Sequence, residues 1–135
     1  MSGTWCEWQI PVRYDVQELV ASADTQETVD GIRVYAGEWK YPGKVEAVLQ
    51  ERGIPFILRI DAQDTHESNA TIFYKGETIS TYQDGGDPFV TVYTDEQGAI
   101  KFRGLTHCLE YLAARRAFYK EYARATKEAE CPPTE

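Results

Sequence analysis

Between Asp61 and Glu96 the chain carries eight carboxylates (Asp61, Asp64, Glu67, Glu77, Asp84, Asp87, Asp95 and Glu96) against one base, Lys75. The stretch is net −7 in a protein whose formal net charge is −8. Carboxylates grouped in this way can hold a hard cation, exchange protons as a catalytic pair, or meet a basic surface. A hard cation needs several oxygen ligands on a sharply turned loop, and zinc needs three or four ligands rich in His or Cys. Asp61-Ala-Gln-Asp64-Thr-His66-Glu67 has one histidine, no glycine and no adjacent cysteine, so it reads as a strand-exit loop with solvated acids. Asp84-Gly-Gly-Asp87 reads as a turn between strands rather than a calcium loop. Neither segment calls for a metal, and no cofactor is expected.

Catalytic candidates are few. The histidines are His66 and His107, and Cys108 adjoins His107. Consecutive residues on a helix point in different directions, so these two do not form a base–nucleophile pair. Cys108 reads as a small buried residue. The acids are too many for any one pair to stand out as an acid–base couple. The glycines are scattered turn residues and form no phosphate-cradling loop. These features lead to the expectation of a non-enzymatic protein.

Meeting a basic surface is the remaining chemistry. Direct nucleic-acid binding requires a basic stripe, and the field of the chain body has the opposite sign. Two readings of the acid stay open. It can be a solubilising surface, or it can imitate phosphate and compete with DNA for a basic groove, with electrostatic steering toward the partner. Exposed aromatics such as Trp39, Tyr41, Tyr74 or Tyr82 would then serve as apolar anchors.

The elements that must carry these residues follow from pattern. At 135 residues, 42% hydrophobic and 13% aromatic, the chain can bury a core. A disordered acidic tail would lack these aromatic and β-branched residues. One domain is expected over 1–135, with a frayed tail at 128–135. The N-terminal MSGTWCEWQIPV shows no signal peptide, and no apolar run is long enough for a membrane span. Cys6, Cys108 and Cys131, odd in number and far apart, point to a reducing cytosol.

TWCEWQIPVR alternates with period two, placing Cys6, Trp8, Ile10 and Val12 on one face. Pro11 marks that strand as an edge or as ending there. Asp15 and Glu18 form a capping-box-like pair for a short helix with Val16, Leu19 and Val20 as its stripe. Residues 24–31 read as a polar loop ending in the Asp30-Gly31 turn. IRVYAGEWKY is a second strand, kinked or bulged at Gly37. Pro42 opens a helix whose stripe is Val45, Val48 and Leu49 and which stops at Gly53.

IPFILRIDA is a strand with Phe56, Leu58 and Ile60 toward the core. Residues 70–83 hold two short strands folded at Gly76-Glu77. PFVTVYTDEQGAIKF is a hairpin turning at Asp95-Glu96-Gln97-Gly98. Thr106 caps a long helix reaching about Lys127, with Tyr111, Arg115, Phe118 and Tyr122 on its packed face. Its basic run, Arg115, Arg116, Lys120, Arg124 and Lys127, reads as a solvated face. The fold class is therefore α+β: an antiparallel sheet of about five to six strands in a two-layer sandwich, with helices on one side and a long C-terminal helix.

The middle of the chain, roughly residues 32–102, resembles the phage uracil-DNA glycosylase inhibitors. The likeness runs through Pro42-Gly-Lys-Val45-Glu46-Ala-Val48, Ile57-Leu58 entering a strand, Ala62-Gln-Asp64-Thr-His-Glu67-Ser68-Asn69, and Phe89-Val-Thr-Val-Tyr-Thr-Asp95-Glu96-Gln97-Gly98. It implies a small sandwich that mimics DNA and plugs an enzyme's binding cleft. In that family an edge strand with a Glu-Ser pair meets the active-site groove. Glu38 is the nearest equivalent here, followed by Trp39 where serine would stand. The family's apolar cavity would be lined by Val45, Val48 and Leu49. The N-terminal strand and helix and the long C-terminal helix have no counterpart in the family.

The combined expectation is a small acidic cytoplasmic binding protein, monomeric or homodimeric, that occludes the basic nucleic-acid-binding surface of a host enzyme. A glycosylase, a restriction enzyme or a CRISPR effector would fit as target. The partner-binding residues would be Glu38, Asp61, Asp64, Glu67, Glu77, Asp84, Asp87, Asp95 and Glu96, with no direct nucleic-acid or membrane contact. The alternative is a structural or assembly module, such as a dimer, whose acid only keeps it soluble.

Overall fold

A computed structural model of the chain describes residues 3–61, 68–84 and 87–130, with the side chains of Asp84 and of 124–130 excepted. The elements are β1 (Thr4–Pro11), β2 (Ala23–Val29), β3 (Ile32–Trp39), α1 (Pro42–Glu51), β4 (Phe56–Ile60), β5 (Asn69–Tyr74), β6 (Glu77–Asp84), β7 (Asp87–Pro88), β8 (Thr91–Thr94), β9 (Ile100–Arg103) and α2 (Leu105–Glu130). Seven strands form one antiparallel sheet in the order β2-β3-β1-β4-β5-β6-β7, and β8-β9 form a separate two-stranded sheet. The α+β class, the antiparallel sheet and the long C-terminal helix are all present, with more strands than the pattern suggested.

The helices lie on opposite faces of the sheet, not on one side. Alternation in β1 sends Cys6, Trp8 and Ile10 to the first face, where they are fully buried with Tyr35, Trp39, Leu49, Phe56, Leu58 and Phe73. Leu49 brings α1 onto this face. Trp8 meets Trp39 and Phe56 edge to face, with ring centroids 6.0 and 5.6 Å apart. Ile57 and Ile72, out of phase with Phe56 and Phe73, bury against Tyr111, Phe118 and Tyr122 of α2 on the second face. A strand with both faces covered reads as a continuous apolar run, which is what Ile54-Pro-Phe-Ile-Leu provides.

Local chemistry sets the element ends. Pro42 occupies the first helical position of α1. Gly53 (φ 72°) lets its own N–H reach the Gln50 carbonyl (3.1 Å) and the Ile54 N–H reach that of Leu49 (2.9 Å), which closes the helix. The Asp30-Gly31 and Lys75-Gly76 pairs both have positive φ, as the two-residue turns joining β2 to β3 and β5 to β6 require. The second of these turns lies one residue earlier than Gly76-Glu77.

Several local expectations are corrected. Pro11 ends β1, but β1 lies inside the sheet, between β3 and β4. Val12 falls past the strand end and is exposed. The Asp15 segment forms successive turns rather than a helix. Asp15 accepts the Gln17 N–H (3.3 Å), and Val16 and Val20 are buried in the first cluster without helical continuity. The polar segment 24–31 is mostly edge strand β2, whose ladder to β3 holds it although its side chains are exposed. The irregularity at Gly37 lies in that partner strand, between Ala23 and Thr25. A Cβ on Gly37 would come within 2.7 Å of the Asp24 backbone N. The N-terminal position of α2 belongs to Gly104, whose carbonyl accepts the Cys108 N–H (2.9 Å), so Thr106 lies inside the first turn.

Candidate functional site

The period-two alternation that buries Cys6 and Trp8 turns Trp5 to the second face of the sheet, where its side chain stays 38% exposed. Trp5 is register partner to Glu38 on β3, and its carbonyl accepts the Asp61 N–H (3.2 Å) from the end of β4. Glu38, Trp5 and Asp61 therefore form a row across three adjacent strands. Two strand spacings separate the carboxylate-bearing positions, about 10 Å. All three residues are exposed.

The same end of the sheet carries more acid. Asn69 pairs with Ile60 on one side and with Tyr82 on the other, so the end of β4, the start of β5 and the end of β6 lie together. Asp84 and Asp87 are register partners between β6 and β7. Like charges at directly opposed positions disfavour strand pairing. From β3 to β7 this rim crosses six strands, about 24 Å. Asp64 and Glu67, in the connection from β4 to β5, lie outside the described residues, as do His66 and the Gly85-Gly86 pair.

Nearby cations are engaged elsewhere. Arg59 bonds Glu7 (3.1 Å) and Gln83 (3.2 Å) one row inward on the second face. Gln9 donates to Glu7 (3.0 Å) and accepts the Tyr119 hydroxyl of α2, which ties this polar cluster to the helix. Lys40 and Lys44 lie over the Tyr41 ring, at 5.7 and 4.6 Å from its centroid. The Cys6 thiol is pushed up to about 12, first by burial and then by the Asp61 charge, so it is no nucleophile at neutral pH.

The eight-acid segment does not form one array. Glu77 follows the Lys75-Gly76 turn and pairs with Tyr74, at the opposite end of the sheet from Asp61. Asp95 caps its own turn by accepting the N–H groups of Gln97 and Ala99 (2.9 Å each), and Lys101 stands 3.9 Å away. Glu96 is exposed beside it in the β8–β9 turn. Glu38 does not lie on an edge strand, because β2 covers β3; the β2 pairing stops at Gly37, one residue short of it.

Other candidates also find their places. Trp39, offered as a surface anchor, is core, whereas Tyr41 and Tyr82 are exposed. Tyr74 is half-buried, its hydroxyl donating to Glu121. Trp5, the aromatic that flanks these acids, is the out-of-phase residue of the β1 alternation, and that phase is the signal in the sequence that marks it. Leu49 is core and Val45 packs against it, filling the position assigned to a cavity lining.

His107 is exposed, 3.9 Å from Glu110, while Cys108 is buried, so no couple forms between them. Arg115 covers the Tyr111 ring at 5.5 Å rather than standing wholly in solvent, Arg116 and Lys120 are exposed, and the side chains of Arg124 and Lys127 lie outside the described residues. Among the described residues no group of three or more His, Cys, Asp or Glu converges as a metal site, and no helix is long and apolar enough to cross a membrane. Compared with protein families, curated proteins and solved structures, the chain matches none of them.

Proposed function

We propose that the protein is a non-enzymatic inhibitor, of phage or mobile-element origin, that occludes the basic nucleic-acid-binding groove of a host enzyme by presenting its acidic rim in place of DNA. The observation that carries this reading is the Glu38–Trp5–Asp61 row and its continuation to Asp84 and Asp87 along one end of the sheet. Over about 24 Å a single DNA strand presents about seven phosphates. Glu38, Asp61, Asp84 and Asp87 place four acidic positions along that end of the sheet, about half the phosphate density of one strand.

Carboxylates take phosphate positions, and the field steers association. Trp5 seats an apolar anchor among them, which lowers the off-rate. The resemblance to glycosylase inhibitors points to the same class of target, and a glycosylase, a restriction enzyme or a CRISPR effector each supplies a basic groove.

The test is capture of partners from lysate by the wild-type protein and by a Glu38→Lys, Asp61→Lys, Asp87→Lys variant. The captured enzyme should compete with duplex DNA for the protein, bind more weakly as salt rises, and be lost from the variant. A variant that retains the same partners at the same affinity sinks the proposal. Inhibition of uracil-DNA glycosylase is a direct parallel assay. The second reading, an assembly module, is favoured by one observation, the uncovered apolar hairpin β8–β9. It requires the rim substitutions to leave every interaction unchanged.

A further inference from the structure

All eight strand residues of the β8–β9 hairpin are exposed. An isolated two-stranded hairpin is at best marginally stable in water; three strands or a helix against one face are needed. Register pairs Val92 with Phe102 and Thr94 with Ile100, so Val92, Phe102 and Ile100 share a face, at 62%, 53% and 66% exposure. Gly104 joins this hairpin to α2, whose Leu105, Leu109 and Leu112 are also exposed. Their i, i+4, i+7 spacing makes one stripe, about a third of the circumference from the buried Tyr111–Phe118–Tyr122 stripe. Ile100, Phe102 and Leu105 line one concavity, so hairpin face and helix stripe are continuous.

We infer that this surface is the interface of a homodimer, each copy laying its β8–β9 face and leucine stripe against those of the other about a twofold axis. Two observations select a second copy as occupant. The first is area. Six side chains exposed to this degree present on the order of 600 Å² of apolar surface, the upper end for the largest patch on a monomer. A stable interface takes about 800 Å² from each partner, which the patch and its polar surround supply.

The second is charge. Residues 91–112 carry two bases, Lys101 and Arg103, against three acids, Asp95, Glu96 and Glu110, for a net charge of −1; Lys101 stands 3.9 Å from Asp95, and Arg103 lies over the Tyr93 ring at 5.1 Å. On a molecule of net charge −8, this near-neutral region is where an identical molecule can approach. An isologous contact needs only a self-complementary apolar patch.

The patch adjoins the β6 end of the acidic rim, since Gly104 and His107 share a concavity with Asn69 and Tyr82. Dimerisation there sets two rims side by side, and their repulsion is screened by salt. The dimer therefore tightens as salt rises, the opposite of partner binding at the rim.

Sedimentation equilibrium of the full chain, in reductant to exclude crosslinking through Cys131, tests this directly. The expected mass is twice 15.4 kDa at tens of micromolar protein. Phe102→Glu on the hairpin and Leu109→Lys on the helix should each weaken the dimer by about 30-fold or more. Both residues are exposed, so circular dichroism should stay native, and either variant stands if the other fails to fold. A wild-type chain that is monomeric at 200 micromolar, or a dimer indifferent to both substitutions, overturns the inference.

Discussion

At the rim, Trp5 stands partly in water in the row between Glu38 and Asp61. Trp5→Ala should lower the melting temperature, because most of the residue is out of water, and should also shorten the lifetime of any rim complex; calorimetry and off-rates measure the two effects separately. One strand position away the Cys6 thiol is buried and raised to about 12. Iodoacetamide at pH 8 should therefore leave Cys6 unmodified in the native protein and label it fully in denaturant, as peptide mass mapping will show.

Glu46 on α1 titrates above its ordinary 4.5 because burial disfavours its charged form. The folded state then binds its proton more tightly than the unfolded state, so stability falls as pH rises from 4.5 through the raised value. Glu46→Gln removes that loss. It should raise the melting temperature at pH 7 and change nothing below the ordinary value, near pH 3.5.

At the scale of elements, the Lys75-Gly76 turn and the α2 docking face make separate demands. Gly76 has φ 81°, where a Cβ meets its own backbone even though nothing else lies within 4 Å. Gly76→Ala should cost about 1 kcal/mol in chemical denaturation. Phe118, fully buried among Tyr74, Tyr119 and Tyr122, holds the helix to the sheet. Phe118→Ala should cost about 3–5 kcal/mol, in one cooperative transition if α2 and the sheet share a core. Helix α1 was legible because Pro42 and Gly53 bracket an apolar stripe at helical spacing. Strand β2 was not, because an edge strand with both faces in water shows no alternation and is held by backbone bonds to β3. The Asp15 segment misled for the converse reason: Val16, Leu19 and Val20 have helical spacing, yet consecutive turns bury Val16 and Val20 and partly bury Leu19.

For the whole molecule, the acid and the apolar patch respond to salt in opposite directions. Raising ionic strength should weaken rim complexes steeply and strengthen the β8–β9 association; one titration series by sedimentation separates the two surfaces. Arg59, one row inward from the rim, is committed to Glu7 and Gln83.

The sequence by itself determined the amount and sign of charge, the α+β class, the helix boundaries at Pro42 and Gly53, and the alternation that buries Cys6, Trp8 and Ile10. These follow from composition and from contacts a few residues long. Which acids stand together was decided only by the tertiary structure. Glu38 and Asp61 lie 23 positions apart and meet across Trp5 through strand register, while Glu77, close in sequence to the rim acids, is carried to the other end by a hairpin. Register is a long-range property, set by the pairing of whole strands. The linear cluster of eight carboxylates is a real feature of charge, and the fold distributes its described members over three places.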